Sequence, residues 1–442
     1  MIYNSTALKS CDVYEVLMDD GNGNSSNGSM DFEAPKADVL DYAEIILLTF
    51  MVVVGGPLNV LCFCRSGGPC SRSEPNVTPV GQRYTGRRRN SSWKAATAYS
   101  SRSLSLRLHL TAANLCIIWI YGISQICWLS TYSWLAGDIM CRLIKFFHTF
   151  CFYLTSNVIV MIAIDRVYVT AYVDRPPRSP ARSNERWFRF TVCWVPWILA
   201  FISSTPQLFV WNVIAPYKER FPDWHQCVNI WVTWKVEHMD QLDELKDQFE
   251  SVSLQELIYS VSHLILVFWC PAFIVICSYA IIVTRFRKKI QETRMDARRL
   301  QRSANIEQFR TRAAKLYCSY GAGTAVSSYS EPSSSPLCQC PVGRLTGVPI
   351  IVNSPQIFLD SSKPLCNNVA IQTLSRVKRR TMRASACISF AYVACWSPYN
   401  ILELWRFLDP SLENRYLELL SNLIVLNAVL NPLIYDMKLS LR

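Results

Sequence analysis

The chain has 442 residues, half of them hydrophobic and 14 of them tryptophan, which is too apolar for two ordinary soluble domains and places most of its mass in a membrane. A net charge of +12 would suit nucleic acid in a soluble protein. Here the surplus sits in segments between apolar runs, where it sets orientation and meets anionic lipid, and nucleic acid is discounted.

Seven apolar runs, at about 39–64, 104–129, 141–172, 188–211, 254–284, 381–408 and 416–437, each come near the ~20 residues that a helix needs to cross a bilayer. The expectation is an all-α membrane protein, a seven-transmembrane helix bundle with its ends on opposite sides. Basic residues stay cytoplasmic. The segment after the first run (65–103) carries Arg65, Arg72, Arg83, Arg87, Arg88, Arg89, Lys94 and Arg102 against Glu74, and the segment 285–380 opens and closes on similar clusters. Both are assigned to the cytoplasm. The N-terminal residues 1–38 are acidic, polar and rich in Gly, Asn and Ser, so they read as an extracellular disordered segment. Sequons at Asn4, Asn24 and Asn27 lie on that side as glycosylation candidates, and with no cleavable leader in view the first span would serve as the export signal.

Within the first span, Gly55-Gly56-Pro57-Leu58-Asn59 combines close helix approach with a buried amide. The long inner loop that follows is either disordered or an error of the gene model. The second span reads Leu108-His109-Leu110-Thr111-Ala112-Ala113-Asn114-Leu115. The third runs without charge from 150 to 164 and ends on Asp165-Arg166, where two charges beside a lipid-length run are tolerable only as a pair. The fourth carries Trp197 and then Pro206-Gln207-Leu208, and the outer loop brings Gln226-Cys227-Val228. In the fifth, Pro271 breaks a backbone bond and Tyr279 lies near the inner end. A basic helical extension is predicted to about Lys315, followed by a Ser/Pro-rich linker. Cys338 and Cys340 there lack a second pair at metal spacing, so neither metal nor cofactor is expected. Most of the 18 cysteines fall inside spans as small apolar residues. Trp396 and Pro398 in the sixth span join a large ring to a kink, a physical basis for two helix positions.

Asp165-Arg166-Val167, Trp396-Ser397-Pro398 and Asn431-Pro432-Leu433-Ile434-Tyr435 together resemble the rhodopsin-like G-protein-coupled receptors. Within that class, Cys395-Trp396-Ser397-Pro398-Tyr399, Trp405, Asp409-Pro410 and the motifs of spans two and four are similar to receptors for gonadotropin-releasing hormone, adipokinetic hormone and corazonin; vasopressin- and oxytocin-type receptors share part of them. The resemblance implies a plasma-membrane receptor, not an enzyme, with an extracellular peptide ligand and a heterotrimeric G protein, of the q class, as partners. It implies ligand contacts at Gln125, Trp128, His148, Tyr399, Asn400 and Arg406, with Gln125 in place of an acid and His148 in place of a lysine. His148 also fits a hydrogen-bonded bundle histidine. Activation roles fall on Asp165, Arg166, Tyr279, Trp396, Pro398, Asn431, Pro432 and Tyr435, and a disulfide on Cys141 and Cys227. Asn114 stands where the pattern has a sodium-binding aspartate. The tail of 438–442 is short for the class. An amine receptor would want a carboxylate at 148, a light receptor a lysine in span seven, and a transporter or channel charged spans or an internal repeat. No nucleophile has a base at motif spacing.

Overall fold

The computed structural model describes residues 37–65, 91–172, 182–219, 221–241, 244–321, 364–408 and 416–436. The sequons at Asn4, Asn24 and Asn27, the basic run 66–90, Cys338 and Cys340, Asp409-Pro410 and the residues after 436 lie outside them.

Helix formation follows local chemistry at the first span, Val39–Arg65. Asp38 accepts from the backbone N–H groups of Leu40 (2.9 Å) and Asp41 (3.0 Å), while the Asp41 carboxylate reaches back to the Asp38 N–H at 2.9 Å. This reciprocal cap satisfies orphan donors at the helix start, and Arg65 in the last turn suits the negative end of the dipole. Span two is Ser91–Cys116, a π turn at Ile117–Gly122, and Ile123–Thr131. Span three is Gly137–Tyr172 and span four Arg182–Ser204. Span five starts at Lys246, passes a π turn at Ile265–Trp269 just before Pro271, and continues as Cys270–Gly321. Span six lies in Pro364–Leu408 and span seven is Tyr416–Asp436.

Five of these helices are long and apolar enough to cross a membrane, and Leu419–Ile434 is a shorter apolar segment. Span six is more polar because it buries Ser385, Ser389, Asn400 and Glu403. The chain divides into two compact units. One holds residues 1–282 and 371–442 and contains the bundle, in which span three packs on spans two, four and five, and span seven on span one. The other, 283–370, contains the basic, exposed continuation of the span-five helix, whose last described residue is Gly321.

The contact between spans one and seven depends on Gly55. A Cβ there would stand 2.6 Å from Val429 Cγ2 and 3.1 Å from Ile118 Cδ1. Gly55→Val should therefore force the two helices apart at a cost of about 1–3 kcal/mol or more, read as a lower melting temperature of the detergent-purified protein.

The apolar run at 188–211 is shorter as a helix than the sequence suggests. Pro206 has no N–H and disfavours helix in the residue before it, so the span-four helix ends at Ser204 and one further turn, Gln207–Val210, follows. Trp211–Ile214 (β1) then pairs antiparallel with Gln226–Asn229 (β2), Val213 opposite Cys227. A helix at Ile230–Glu237 begins where the Asn229 side chain accepts from Val232 N at 2.8 Å. It docks on span five through Glu256, which takes Lys235 Nζ at 2.9 Å and Asn229 Nδ2 at 3.1 Å.

Candidate ligand pocket and activation core

Over one end of the bundle the β1–β2 hairpin is fixed by the Cys141–Cys227 disulfide, whose Cα atoms are 5.7 Å apart, with both residues fully buried. A second tie comes from Tyr132, which ends span two in the left-handed conformation (φ 52°). Its carbonyl accepts from Trp224 Nε1 at 2.9 Å and Gln226 Nε2 at 3.0 Å. Trp128 Nε1 donates to the other end of the Gln226 amide at 3.2 Å, and its ring meets Trp134 edge to face.

Beneath this roof lies a residue that sequence reasoning missed. Lys145, only 6 % exposed, holds its ammonium 4.5 Å from the centre of the Trp128 ring and 4.2 Å from that of Trp211. Two indole faces attract an ammonium placed between them, which offsets part of the cost of burying its charge. The available signal was spacing: Lys145 is one helical turn above His148 and therefore on the same face of span three. His148 Nε2 lies 2.6 Å from Ser124 Oγ, and its ring meets Tyr121 edge to face at 4.8 Å. Gln125, next to Ser124, is half-buried.

Tyr121, Phe152 and Trp396 continue inward as edge-to-face pairs at 5.2 and 5.8 Å, so rings in contact connect His148 to the middle of the bundle. Trp396 is 1 % exposed and lines, with Tyr399, Asn400, His263 and Val267, a small apolar cleft. Asn400 Nδ2 donates to the Trp396 carbonyl at 2.8 Å. Among the described residues neither Asn400 Oδ1 nor Trp396 Nε1 has a hydrogen-bond partner. The structure thus gathers Gln125, Trp128 and His148 near the roof and Tyr399 and Asn400 in the deeper cleft. Arg406 is in the span-six helix, but its side chain lies outside the described residues.

At the opposite end of the bundle Arg166 is buried, with Nη2 3.5 Å from the Asp165 carboxylate and donating to Ser103 Oγ of span two at 3.3 Å. Ser389 of span six donates to the Tyr279 hydroxyl of span five at 3.3 Å. In the bundle centre three amides join three spans. Asn59 donates to the carbonyls of Gly55 (2.9 Å) and Ala428 (3.1 Å), Asn114 to Asn59 Oδ1 at 3.3 Å, and Asn431 to Asn114 Oδ1 at 3.2 Å. The Asn114 and Asn431 positions bring no carboxylate, the donor a hard cation prefers. Pro432 is buried beside Asn431, Pro398 lies within the span-six helix, and the Tyr435 side chain is outside the described residues.

A family model described as 7 transmembrane receptor (rhodopsin family) matches residues 98–435. The chain is 28 % identical over 413 residues to the G-protein coupled receptor daf-38 of Caenorhabditis elegans, covering 91 % of this chain and 89 % of that protein. It is 26 % identical over 333 residues to the gonadotropin-releasing hormone receptor of Octopus vulgaris (75 % and 61 %). It is 20 % identical over 340 residues to the human vasopressin V1b receptor (74 % and 62 %). The match thus spans most of the nematode protein and somewhat under two thirds of the other two.

Proposed function

The chain belongs to the rhodopsin family of seven-transmembrane receptors, which are multi-pass membrane receptors and not enzymes, and from that premise we propose that it is a plasma-membrane receptor for a peptide of the gonadotropin-releasing hormone or adipokinetic hormone type. The observation that carries this reading is the roofed mouth: a disulfide-pinned hairpin over Lys145 and three indoles, with rings in contact running from nearby His148 to Trp396. Such a mouth suits a small peptide with aromatic and polar ends. Gln125, Trp128, His148, Tyr399, Asn400 and Arg406 are the proposed ligand contacts, with the acidic N-terminus and its sequons outside the cell.

Signalling follows as a population shift. A ligand group pressing on Trp396 favours a second position of span six, turning about Pro398; Arg166 leaves Asp165 and, with Tyr279, Asn431, Pro432 and Tyr435, opens a cytoplasmic cleft for a heterotrimeric G protein. The q class, acting through phospholipase C and calcium, is the coupling we propose. A transporter or channel is set aside by the family. A vasopressin- or oxytocin-type ligand is the second reading, supported by the likeness to the human and mouse vasopressin V1b receptors and to the cephalotocin receptor 1 of Octopus vulgaris.

The test is a calcium assay in cells expressing the full chain, screened with a panel of neuropeptides. Responses to peptides of the first type support the proposal, responses confined to vasopressin-type peptides favour the second reading, and silence to all overturns both. With an agonist in hand, Lys145→Gln removes the charge, keeps a polar end and shortens the side chain by one atom. Agonist potency should fall about tenfold at equal surface receptor.

A further inference from the structure

We infer that the helical stretch 285–313 is the docking site of an acidic, two-lobed protein that closes around one helix and offers an apolar groove on each lobe, the chemistry of a calcium-loaded EF-hand sensor. The receptor reading enters only to put this stretch in the cytoplasm. Every residue from 283 to 313 is exposed. The helix is complete in itself, for the hydroxyls of Thr293, Ser303 and Thr311 donate to the carbonyls of Lys289, Arg299 and Glu307. Ten basic residues stand in it against Glu292, Asp296 and Glu307. Such an excess calls for an anionic partner.

Charge alone does not choose the partner; the apolar side chains do. The apolar run of span five ends near 284, so large apolar residues beyond it face water and not lipid tails. Leu300 is 72 % exposed and Phe309 74 %. At 3.6 residues per turn they lie about 13.5 Å apart along the helix axis and about 180° apart around it. Phe286 and Ile290 fall within about 80° of Leu300, whereas Met295 and Ile306 fall beside Phe309, on the side that also carries Arg298, Arg299 and Arg302. A lipid leaflet takes one apolar face and needs the cations opposite it, so it would cover Leu300 and leave Ile306 and Phe309 in water among arginines. A second copy of the helix meets like charge along its length, and nucleic acid pairs the cations but leaves both apolar sets bare. A clamp that grips from two sides takes Leu300 in one groove and Phe309 in the other, while its acidic rims meet the arginines. On the q coupling proposed above, calcium released by the receptor arms such a clamp, which therefore docks only after signalling has begun.

The test is calorimetric titration of the purified full-length chain with calmodulin as the probe. In calcium a one-to-one complex should form, about tenfold or more tighter than in chelator. Leu300→Gln combined with Phe309→Gln keeps helix propensity and removes both anchors, and should weaken the calcium complex about tenfold or more. Both side chains are exposed, so the double variant should fold as the parent does. No complex in calcium, a complex that survives chelation unchanged, or one indifferent to the double variant overturns the inference. In nanodiscs without calmodulin, amide exchange across 294–312 should be the same with neutral and with anionic lipid; slowing by anionic lipid overturns the inference in favour of the leaflet. None of these readouts uses a peptide or a G protein. A chain that answers no peptide but binds calmodulin in this way fails the receptor reading alone.

Discussion

Replacing Arg166 by alanine should abolish agonist-driven signalling while the receptor still reaches the cell surface. The guanidinium is the one long cation at the inner end of span three, buried against Asp165 and bonded to Ser103. On the mechanism proposed above it becomes, in the open arrangement, the group presented to the G protein, and alanine offers nothing there. The change also leaves the Asp165 carboxylate buried beside an apolar span without its cation, a cost of about 3–5 kcal/mol if the carboxylate stays charged and dry. Surface receptor must therefore be counted in parallel, with Arg166→Lys as the control that retains charge and loses the planar fork. Asp165→Asn should act in the opposite sense, freeing the guanidinium and raising agonist-free signalling. A calcium response to the cognate peptide that survives in Arg166→Ala at full size would sink the mechanism.

The second large effect is expected at the roof. Cys141→Ala or Cys227→Ala should each remove agonist binding and most surface receptor. The bridge closes 86 residues of separation, for which chain entropy alone predicts about 4–5 kcal/mol, and it anchors the strand that carries Gln226 onto Trp128 and Tyr132. The double variant should behave like either single one, since both lose the same bond. Radioligand binding with surface immunostaining measures the two losses separately. If either variant bound peptide normally, the hairpin would not be the element that shapes the mouth.

Much of this was legible in the residues. Seven apolar runs announced a bundle, and the Asp165-Arg166 pair, Trp396 with Pro398, and Asn431-Pro432 lie in the core that the structure assembles. The cystine was legible by resemblance. Less legible were features whose cause is spread over distant residues. The β1–β2 hairpin follows no strong alternation, and Trp211–Ile214 reads as the tail of an apolar span until Pro206 stops the helix. The π turns carry no composition signal of their own. Lys145 was passed over because a lone lysine near the outer end of a span reads as flanking charge; only the arrival of Trp211 from another element makes it a buried cation over two rings.

The chain of amides through Asn59, Asn114 and Asn431 has a physiological corollary. A carboxylate in the middle of such a receptor makes its idle state register the electrolyte of the fluid bathing the cell, because counter-ion and proton occupancy both bias it. Amides neither ionise nor attract a monovalent ion strongly. At this place in the bundle the receptor accordingly has no ionisable group through which the salinity of body fluid could bias it.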